Sequence, residues 1–172
     1  INFKEKIRNQ LKNIQKASKI LGINKTSVFD FPDNRFDSVD ILEVIKVIEN
    51  EINNFKPDIV LTHHKNDLNV DHSITFNAVL TSLRPLPGKK QIQLLTFETP
   101  SSTEWQSSDT HLSFAPSLLI EINSRDLKAK QKAMNCYTSE RRAYPHPRSS
   151  KALEVIARRW GSVIGVHFAE AF

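Results

Sequence analysis

The sequence predicts an α/β fold with a mainly parallel sheet. Short apolar, β-branched segments alternate along the chain with amphipathic segments of helical periodicity, which is the pattern of strands linked by helices. The length of 172 residues and the hydrophobic content of 39% suit one domain with one core. We therefore expect a single domain over residues 1–172.

Each element has its own local signals. Apolar stripes predict helices over 2–21, 38–54, 72–83, from Asn123 to about Tyr137 and over 150–160. Residues typical of helix starts or ends support these bounds, among them Gly22, Asp37, Asn123 and Gly161. Short apolar runs predict strands over 26–31, 58–62, 91–97 and 117–122, of which 58–62 reads as fully buried. The polar segment 98–113 is expected to form a surface loop.

Composition excludes several classes of protein. No apolar run approaches the ~20 residues of a membrane span, and no glycine-rich phosphate loop is present. The single cysteine, Cys136, rules out a disulfide framework and is expected in the core. The first residues do not resemble a signal peptide, so we expect a cytoplasmic protein. Since the chain begins with Ile1 rather than Met, we also expect it to start partway through a longer protein.

Charge is unevenly distributed. The net charge is +5, and residues 125–160 hold ten Lys or Arg against three acidic residues. Such a basic region is compatible with nucleic-acid binding, but no recognised motif accompanies it, and a solvated helix face is the preferred interpretation. No nucleic-acid partner is predicted.

The polar stretch 63–72 is the strongest candidate for chemistry. It follows the strand 58–62, at the strand end where α/β proteins bind ligands, and it holds three of the six histidines. Imidazole and carboxylate together suit Zn²⁺ or Fe²⁺. His72, at a helix N-terminus, is the candidate ligand, and Asp71 would cap the helix or orient an imidazole. Asp67 and Asn69 would touch substrate hydroxyls or the metal-held water, although a polar first turn without function is the alternative.

Two further residues are candidate substrate contacts. Glu98 directly follows a predicted strand, and a capping or loop role is equally compatible with its position. Arg142 belongs to a group of arginines that would suit a phosphate of a nucleotide- or lipid-linked sugar, with a solvated surface as the alternative. His63 and His64 are adjacent on an extended segment and point in opposite directions, so at most one should face the site.

Residues 64–72, His-Lys-Asn-Asp-Leu-Asn-Val-Asp-His, resemble the second motif of the PIG-L/LmbE-like family of zinc-dependent de-N-acetylases. The flanking segments 57–60, 97–103 and 169–172 agree with the same family, so the resemblance covers nearly the whole chain. It implies a Rossmann-like three-layer domain. It also implies a zinc ion that is held by two histidines and one aspartate and that activates water for attack on an acetamide.

The resemblance assigns a role to some residues and exposes a gap. His72 matches the histidine ligand of the second motif, with Asp71 as its supporting partner. The other ligands and the aspartate base belong to a His-Pro-Asp-Asp motif that this sequence lacks. We therefore expect the first strands of the fold to be missing, supplied by a longer protein or by another chain. Asn69 stands where several members carry a histidine for the oxyanion or the leaving amine, and His64 is the alternative for that role.

The predicted function is metal-dependent hydrolysis of the N-acetyl group of a GlcNAc-type amino-sugar conjugate by the parent protein. The cofactor would be Zn²⁺, with Fe²⁺ as the alternative. The conjugate would be nucleotide-, lipid- or glycan-linked, and an oligomer is compatible with the sequence. The rival hypothesis is a non-catalytic carbohydrate- or partner-binding module, because the sequence lacks two metal ligands and the general base.

Overall fold

A computed structural model describes residues 3–106 and 112–172. The helices are α1 (Phe3–Leu21), α2 (Ile41–Phe55), α3 (Val70–Ser82), α4 (Ser124–Asn135) and α5 (Ser150–Ile164), and the strands are β1 (Ile59–His63), β2 (Gln93–Phe97), β3 (Leu119–Glu121) and β4 (Ala169–Ala171). The chain divides into two compact units, one formed by 30–118 with Phe172 and the other by 1–29 with 119–171. The single domain expected over 1–172 stays a prediction.

The unit formed by 30–118 contains the parallel strands. β1 and β2 pair in parallel, with Ile59 opposite Gln93 and His63 opposite Phe97. The connection between them carries α3, which packs against β1. A parallel pair joined by a helix is the βα arrangement that the sequence predicted, and the α/β fold class with a parallel sheet is therefore confirmed.

A small apolar core joins α2 to α3. Val44 and Ile45 on α2 are buried against Ala78 on α3, and partly buried aromatic and aliphatic side chains surround them. One of these is Phe31, whose ring lies 5.4 Å from the Phe36 ring in an edge-to-face arrangement. This packing fixes α3 and therefore the loop that leads into it.

The strand predicted over 26–31 is wrong. These residues have no regular secondary structure, and Val28 and Phe29 are exposed, whereas Phe31 packs on the α2–α3 core. A β-branched, aromatic segment forms a strand only where another strand satisfies its backbone groups, and no described strand pairs with this one.

Local signals located α2 but misplaced its start. Asp37 was predicted to cap this helix, yet it lies within a 3₁₀ turn over Phe36–Ser38. The cap is Asp40, whose carboxylate accepts a hydrogen bond of 2.9 Å from the backbone N–H of Leu42. Both aspartates precede apolar positions at suitable spacing, so the turn geometry selects between them.

β1 is half exposed rather than fully buried. Thr62 is buried, but Ile59 and Leu61 on the opposite face are 47% and 50% exposed. Successive side chains of a strand point to opposite faces. α3 packs on β1 but does not cover the face that carries Ile59 and Leu61. Within the described residues β2 is the single strand that pairs with β1.

The unit formed by 1–29 and 119–171 combines helices with an antiparallel pair. α1 packs against α4, α5 packs against β4, and β3 pairs antiparallel with β4, placing Leu119 opposite Ala171. The sequence predicted β3 and did not assign β4. At the start of α4, Asn123 forms the predicted cap as a complete capping box with Asp126. Cys136, expected in the core, is only half-buried at the end of α4.

Gly161 does not end α5, as the sequence predicted. The helix continues to Ile164 and ends at Gly165, which adopts the left-handed conformation with φ 75°. Gly161 is instead needed for close packing, since a Cβ there would lie 2.6 Å from the carbonyl oxygen of Val166. No helix in the described parts of the chain combines the length and apolar character that a membrane crossing requires.

Candidate functional site

The predicted site lies at the carboxyl edge of the β1–β2 pair. β1 ends at His63 and β2 at Phe97, and these residues are opposite each other in the parallel register. The loop over 64–69 and the segment that starts at Glu98 therefore leave the sheet at one edge, and α3 begins at Val70 directly after the first loop. Ligands of α/β proteins bind at this position.

Asp67 is the most enclosed carboxylate of this edge, 3% exposed. Its Oδ1 accepts hydrogen bonds from His72 Nδ1 at 2.9 Å, from the backbone N–H of Asn69 at 3.0 Å and from the Ser102 hydroxyl, and its Oδ2 accepts one from Thr103 Oγ1 at 2.7 Å. Burial would raise the pKa of the carboxyl, but the hydrogen bonds outweigh it and hold the pKa well below its usual value.

This environment differs from the one expected for Asp67. Both oxygens of Asp67 accept hydrogen bonds from protein donors and the side chain is buried, so the substrate contact expected for it stays a prediction. The carboxylate contacts the imidazole of His72.

His63 and His72 form a stacked pair. Their ring centroids are 3.9 Å apart with planes 8° from parallel, and the Phe97 ring lies 5.1 Å from that of His63. Burial, assisted by the neighbouring His72, lowers the pKa of His63 to about 4, and the charge of Asp67 only partly offsets this. His63 is therefore neutral at pH 7, and its Nδ1 is buried without a hydrogen-bond partner in the described structure.

His63 is the site residue that sequence reasoning missed. We expected at most one of the adjacent histidines to face the site and selected His64. His64 is buried elsewhere: its Nε2 lies 3.1 Å from the carbonyl oxygen of Leu112, and its ring contacts Phe114 edge-on. The signal that would have separated the two is the register of β1, which places His63 beside Phe97 on β2.

Asn69 and Asp71 organise the start of α3. Asn69 caps the helix, its Oδ1 accepting from the backbone N–H of Asp71 at 2.8 Å, and its Nδ2 donates to Asn34 Oδ1. The Asp71 carboxylate accepts from the backbone N–H groups of Asn34 at 2.6 Å and Phe36 at 2.9 Å. Capping α3 and orienting an imidazole were the two alternatives expected for Asp71. Asn69 caps the helix instead, and Asp67 contacts the α3 imidazole.

The segment after β2 is partly buried, although it was predicted to be a surface loop. Ser101, Ser102 and Thr103 are buried, while Trp105 is 53% exposed. The polar side chains of Ser102 and Thr103 are satisfied by other polar groups, so their hydrophilic character did not require exposure. Residues 107–111 of the predicted loop lie outside the described residues.

The remaining predicted contacts lie at different places. Glu98 is half-buried directly after β2, at the edge where the site was expected. Arg142 belongs to the other compact unit, and its guanidinium donates to the backbone carbonyls of Ser139 and Arg141. The nearby Arg148 is paired with the carboxylate of Glu140.

Among the residues at this edge of the sheet, one histidine, His72, is suited to be a ligand of a zinc site. Nδ1 of His72 lies 2.9 Å from Asp67 Oδ1, so Nε2 is the nitrogen that would hold a metal, an arrangement common among metal-binding histidines. A complete site needs three protein donors. The described residues contain no group of three or more His, Cys, Asp or Glu side chains that could hold a metal ion.

Comparison with known proteins agrees with the fold and the motif. The model of the PIG-L family, described as GlcNAc-PI de-N-acetylase, matches residues 4–83. The conserved protein TT1542 from Thermus thermophilus is similar with a TM-score of 0.73 and 23% identity over 96% of this chain and 72% of that chain. N,N'-diacetylchitobiose deacetylase from Pyrococcus horikoshii, solved with its inhibitor MPG, is similar with a TM-score of 0.69 and 19% identity over 96% of this chain.

These likenesses concern the fold and the first half of the chain. The chain spans 62% of the length of the Pyrococcus deacetylase, and no curated protein matches it significantly. At such identities the solved structures show a shared fold, and the family match covers the stretch 63–72. The family model matches a little under half of the chain, and this match confirms the resemblance that residues 64–72 predicted.

Proposed function

We propose that the protein of which this chain is part hydrolyses the N-acetyl group of an amino-sugar conjugate. The observation that carries the proposal is His72: it lies in the first turn of α3 at the carboxyl edge of the parallel strands, a buried carboxylate contacts its Nδ1, and it lies within the matched residues 4–83. The chitobiose deacetylase among the similar folds adds support for chemistry on amino sugars.

In this proposal His72 is a ligand of a divalent metal, zinc or alternatively iron. When bound, such an ion supplies Lewis-acid chemistry that activates water and polarises the amide carbonyl. The donors that complete the site, and the base that accepts a proton from water, would come from a further segment of a longer protein or from a second chain. The neutral imidazole of His63, stacked on His72, lines the same place and excludes water from one face of the ring.

Three residues would contact the substrate. Glu98 lies at the same sheet edge and would meet a sugar hydroxyl, and Arg142 would meet a phosphate if the conjugate is nucleotide- or lipid-linked. Asn69 would offer an amide hydrogen to the developing oxyanion after giving up its bond to Asn34. A cytoplasmic location is part of the proposal, and imaging of the tagged full-length protein tests it.

The decisive experiment compares His72→Ala with His167→Ala in the full-length protein. His167 is an exposed histidine of the other compact unit and is the matched control. Bound metal is measured by elemental analysis, and acetate release is measured with a panel of GlcNAc conjugates. We expect His72→Ala to lose both metal and acetate release, and His167→Ala to keep both. Retention of both by His72→Ala would overturn the proposal.

The same experiment distinguishes the second candidate, a non-catalytic carbohydrate-binding module. The absence of a three-donor group among the described residues favours this alternative for the chain on its own. Stoichiometric binding of an N-acetylated sugar that a chelator leaves unchanged, without acetate release by the full-length protein, would establish it in place of the hydrolase.

A further inference from the structure

Asp67 connects the two loops that leave the carboxyl edge of the sheet. It lies in the loop between β1 and α3, and it accepts hydrogen bonds from the hydroxyls of Ser102 and Thr103 in the segment after β2. We propose that Asp67, clamped by these two hydroxyls, is a positioning residue that keeps His72 in the tautomer with its proton on Nδ1. The chemistry that this would serve rests on the proposed function; the tautomer itself does not.

The direction of each hydrogen bond follows from the groups involved. An ionised carboxylate only accepts hydrogen bonds, so the His72 nitrogen at 2.9 Å from Asp67 Oδ1 must carry the proton. The backbone N–H of Asn69, 3.0 Å from the same oxygen, can only donate. With one proton on Nδ1, the neutral ring keeps its lone pair on Nε2, the nitrogen available to a ligand or reacting group.

The hydroxyls that clamp Asp67 are themselves oriented. Thr103 Oγ1 accepts a hydrogen bond of 2.7 Å from the backbone N–H of Thr99, so its own proton is free to point at Asp67. The Glu104 carboxylate accepts from the backbone N–H groups of Ser101 and Ser102 at 2.6 and 3.1 Å, which closes the turn that presents the Ser102 hydroxyl. The segment after β2 is therefore shaped to donate to Asp67.

The turn also shows local backbone strain. Ser101 has φ 69°, in the left-handed region that non-glycine residues seldom adopt. Such strain persists only where surrounding interactions over-determine the conformation, and it concentrates at functional sites. Here it accompanies the residues that hold Asp67, in a segment whose polar sequence would otherwise place it in solvent.

A purely structural role for Asp67 makes a different prediction. The helix cap is Asn69, so Asp67 is not needed to cap α3, although it does stabilise the turn before it. If Asp67 only stabilised this turn, its replacement would lower stability without changing the proton position on His72. The tautomer is therefore the measurement that separates the two roles.

The test uses full-length, metal-stripped protein carrying ¹⁵N-histidine, at about pH 8, where histidine is ordinarily neutral. NMR distinguishes a protonated from an unprotonated ring nitrogen, and a His72→Gln sample assigns the signals. We expect Nδ1–H for His72 in the parent protein. In Asp67→Asn the new amide can donate to Nδ1, and we expect the Nε2–H form to gain at least about tenfold in population. An unchanged tautomer in a folded Asp67→Asn protein would overturn the inference.

Paired variants of Thr103 keep the test valid if Asp67→Asn does not fold. Thr103→Ser keeps the hydroxyl and should preserve the parent tautomer. Thr103→Val keeps the shape of the side chain but removes the hydroxyl that donates to Asp67. It should raise the population of the Nε2–H form of His72 by less than Asp67→Asn does. Asp71→Asn controls for a carboxylate at the start of α3 that does not contact the ring. Equal tautomer populations in Thr103→Ser and Thr103→Val would contradict the clamp.

Acetate release separates this inference from the proposed function. If both hold, Asp67→Asn should lower turnover by about 10–100-fold while the tautomer shifts. If the parent protein releases no acetate from any conjugate but the tautomer still depends on Asp67, the positioning role stands and the hydrolase proposal fails. If acetate is released normally by Asp67→Asn with its tautomer unchanged, the positioning role fails alone.

Discussion

His63 and Asp67 both contact the His72 imidazole and respond differently to burial. Desolvation dominates at His63, which has no hydrogen-bond partner at Nδ1, so its pKa falls and the ring is neutral. Burial also acts on Asp67, but four donors stabilise the ionised carboxylate and its pKa falls as well. The site therefore combines a neutral ring, a carboxylate and an imidazole that contacts both.

The pKa of His63 predicts a loss of stability in acid. In the unfolded chain a histidine takes up a proton below pH 6.5, but folded His63 resists protonation down to about 4. More protons bind to the unfolded state within that window, so the free energy of unfolding falls as pH drops from 6.5 to 4, by up to roughly 3 kcal/mol. His63→Phe keeps an aromatic ring against His72 and should remove this dependence.

Urea denaturation of metal-free protein at about pH 7 and about pH 4.5 measures this effect. His167→Phe is the control, since His167 is exposed and should leave the pH dependence as in the parent protein. Identical losses in acid for the parent protein and His63→Phe would contradict the assignment of that loss to His63.

Removing the Asp67 carboxylate should be costly to folding. Asp67→Ala leaves the His72 N–H, two hydroxyls and a backbone N–H without their acceptor in a buried place. Breaking such a network typically costs about 3–5 kcal/mol. Because the folded pKa of Asp67 is depressed, this contribution is present above pH 3.8 and is lost as pH falls further.

Thermal or urea unfolding near neutral pH checks this expectation against Asp33→Ala, the removal of an exposed carboxylate. Asp33→Ala should change the free energy of unfolding by less than about 0.5 kcal/mol. A similarly small change in Asp67→Ala would mean that the buried donors find other acceptors.

The helices show which local signals are reliable. Amphipathic stripes located α1, α2, α4 and α5, because apolar periodicity reports the face that a helix buries. The largely apolar α3 has no such stripe and was located by its apolar content after the polar stretch 63–72. Start and stop residues were less certain. Asp40 rather than Asp37 caps α2, and Asn69 rather than Asp71 caps α3, since several residues of the same type compete within one turn.

Gly161, within α5, offers a direct test of packing. A Cβ at this position would lie 2.6 Å from Val166 O and 2.8 Å from Phe168 N, both backbone atoms that cannot move aside cheaply. We expect Gly161→Ala to destabilise the protein by about 1–3 kcal/mol, although alanine favours helices. Unfolding measurements should show less than about 0.5 kcal/mol for Ser162→Ala, the exposed neighbouring position. Equal stability of both variants would refute the close-packing role.

One face of β1 is exposed in the described structure. Ile59 and Leu61 form an apolar pair on this strand, and the described residues do not cover it. Central strands of parallel sheets are normally covered on both faces. The expectation, drawn from the missing His-Pro-Asp-Asp motif, that a further segment or chain completes the sheet stays a prediction.

Leu61→Thr in the full-length protein tests that expectation. If the face is covered there, the substitution removes buried apolar contacts and should lower the free energy of unfolding by about 2 kcal/mol or more. Leu68→Thr, at an exposed loop position of the same unit, should cost less than about 1 kcal/mol. Equal small costs at both positions would mean that the face stays open.

The fold class, the five helices and the position of the candidate stretch 63–72 at a strand end were predictable from local patterns. The stretch 63–72 combined an unusual density of histidines and carboxylates with a position after an apolar strand, and the structure places it at the carboxyl edge of β1 and β2. The order of apolar and polar residues is sufficient for such predictions, because periodicity and strand ends depend on residues close together in the chain.

The partners within the site required the tertiary structure. Asp67 meets Ser102 and Thr103 in the segment after β2, far along the chain, and His63 rather than His64 stacks on His72 because of the strand register. Neither contact can be predicted from the spacing of nearby residues, since a carboxylate can accept a hydrogen bond from any donor that the fold brings close to it. Sequence patterns thus located the candidate site, and long-range pairing decided which carboxylate and which imidazoles meet there, because those contacts form only when separate segments pack together.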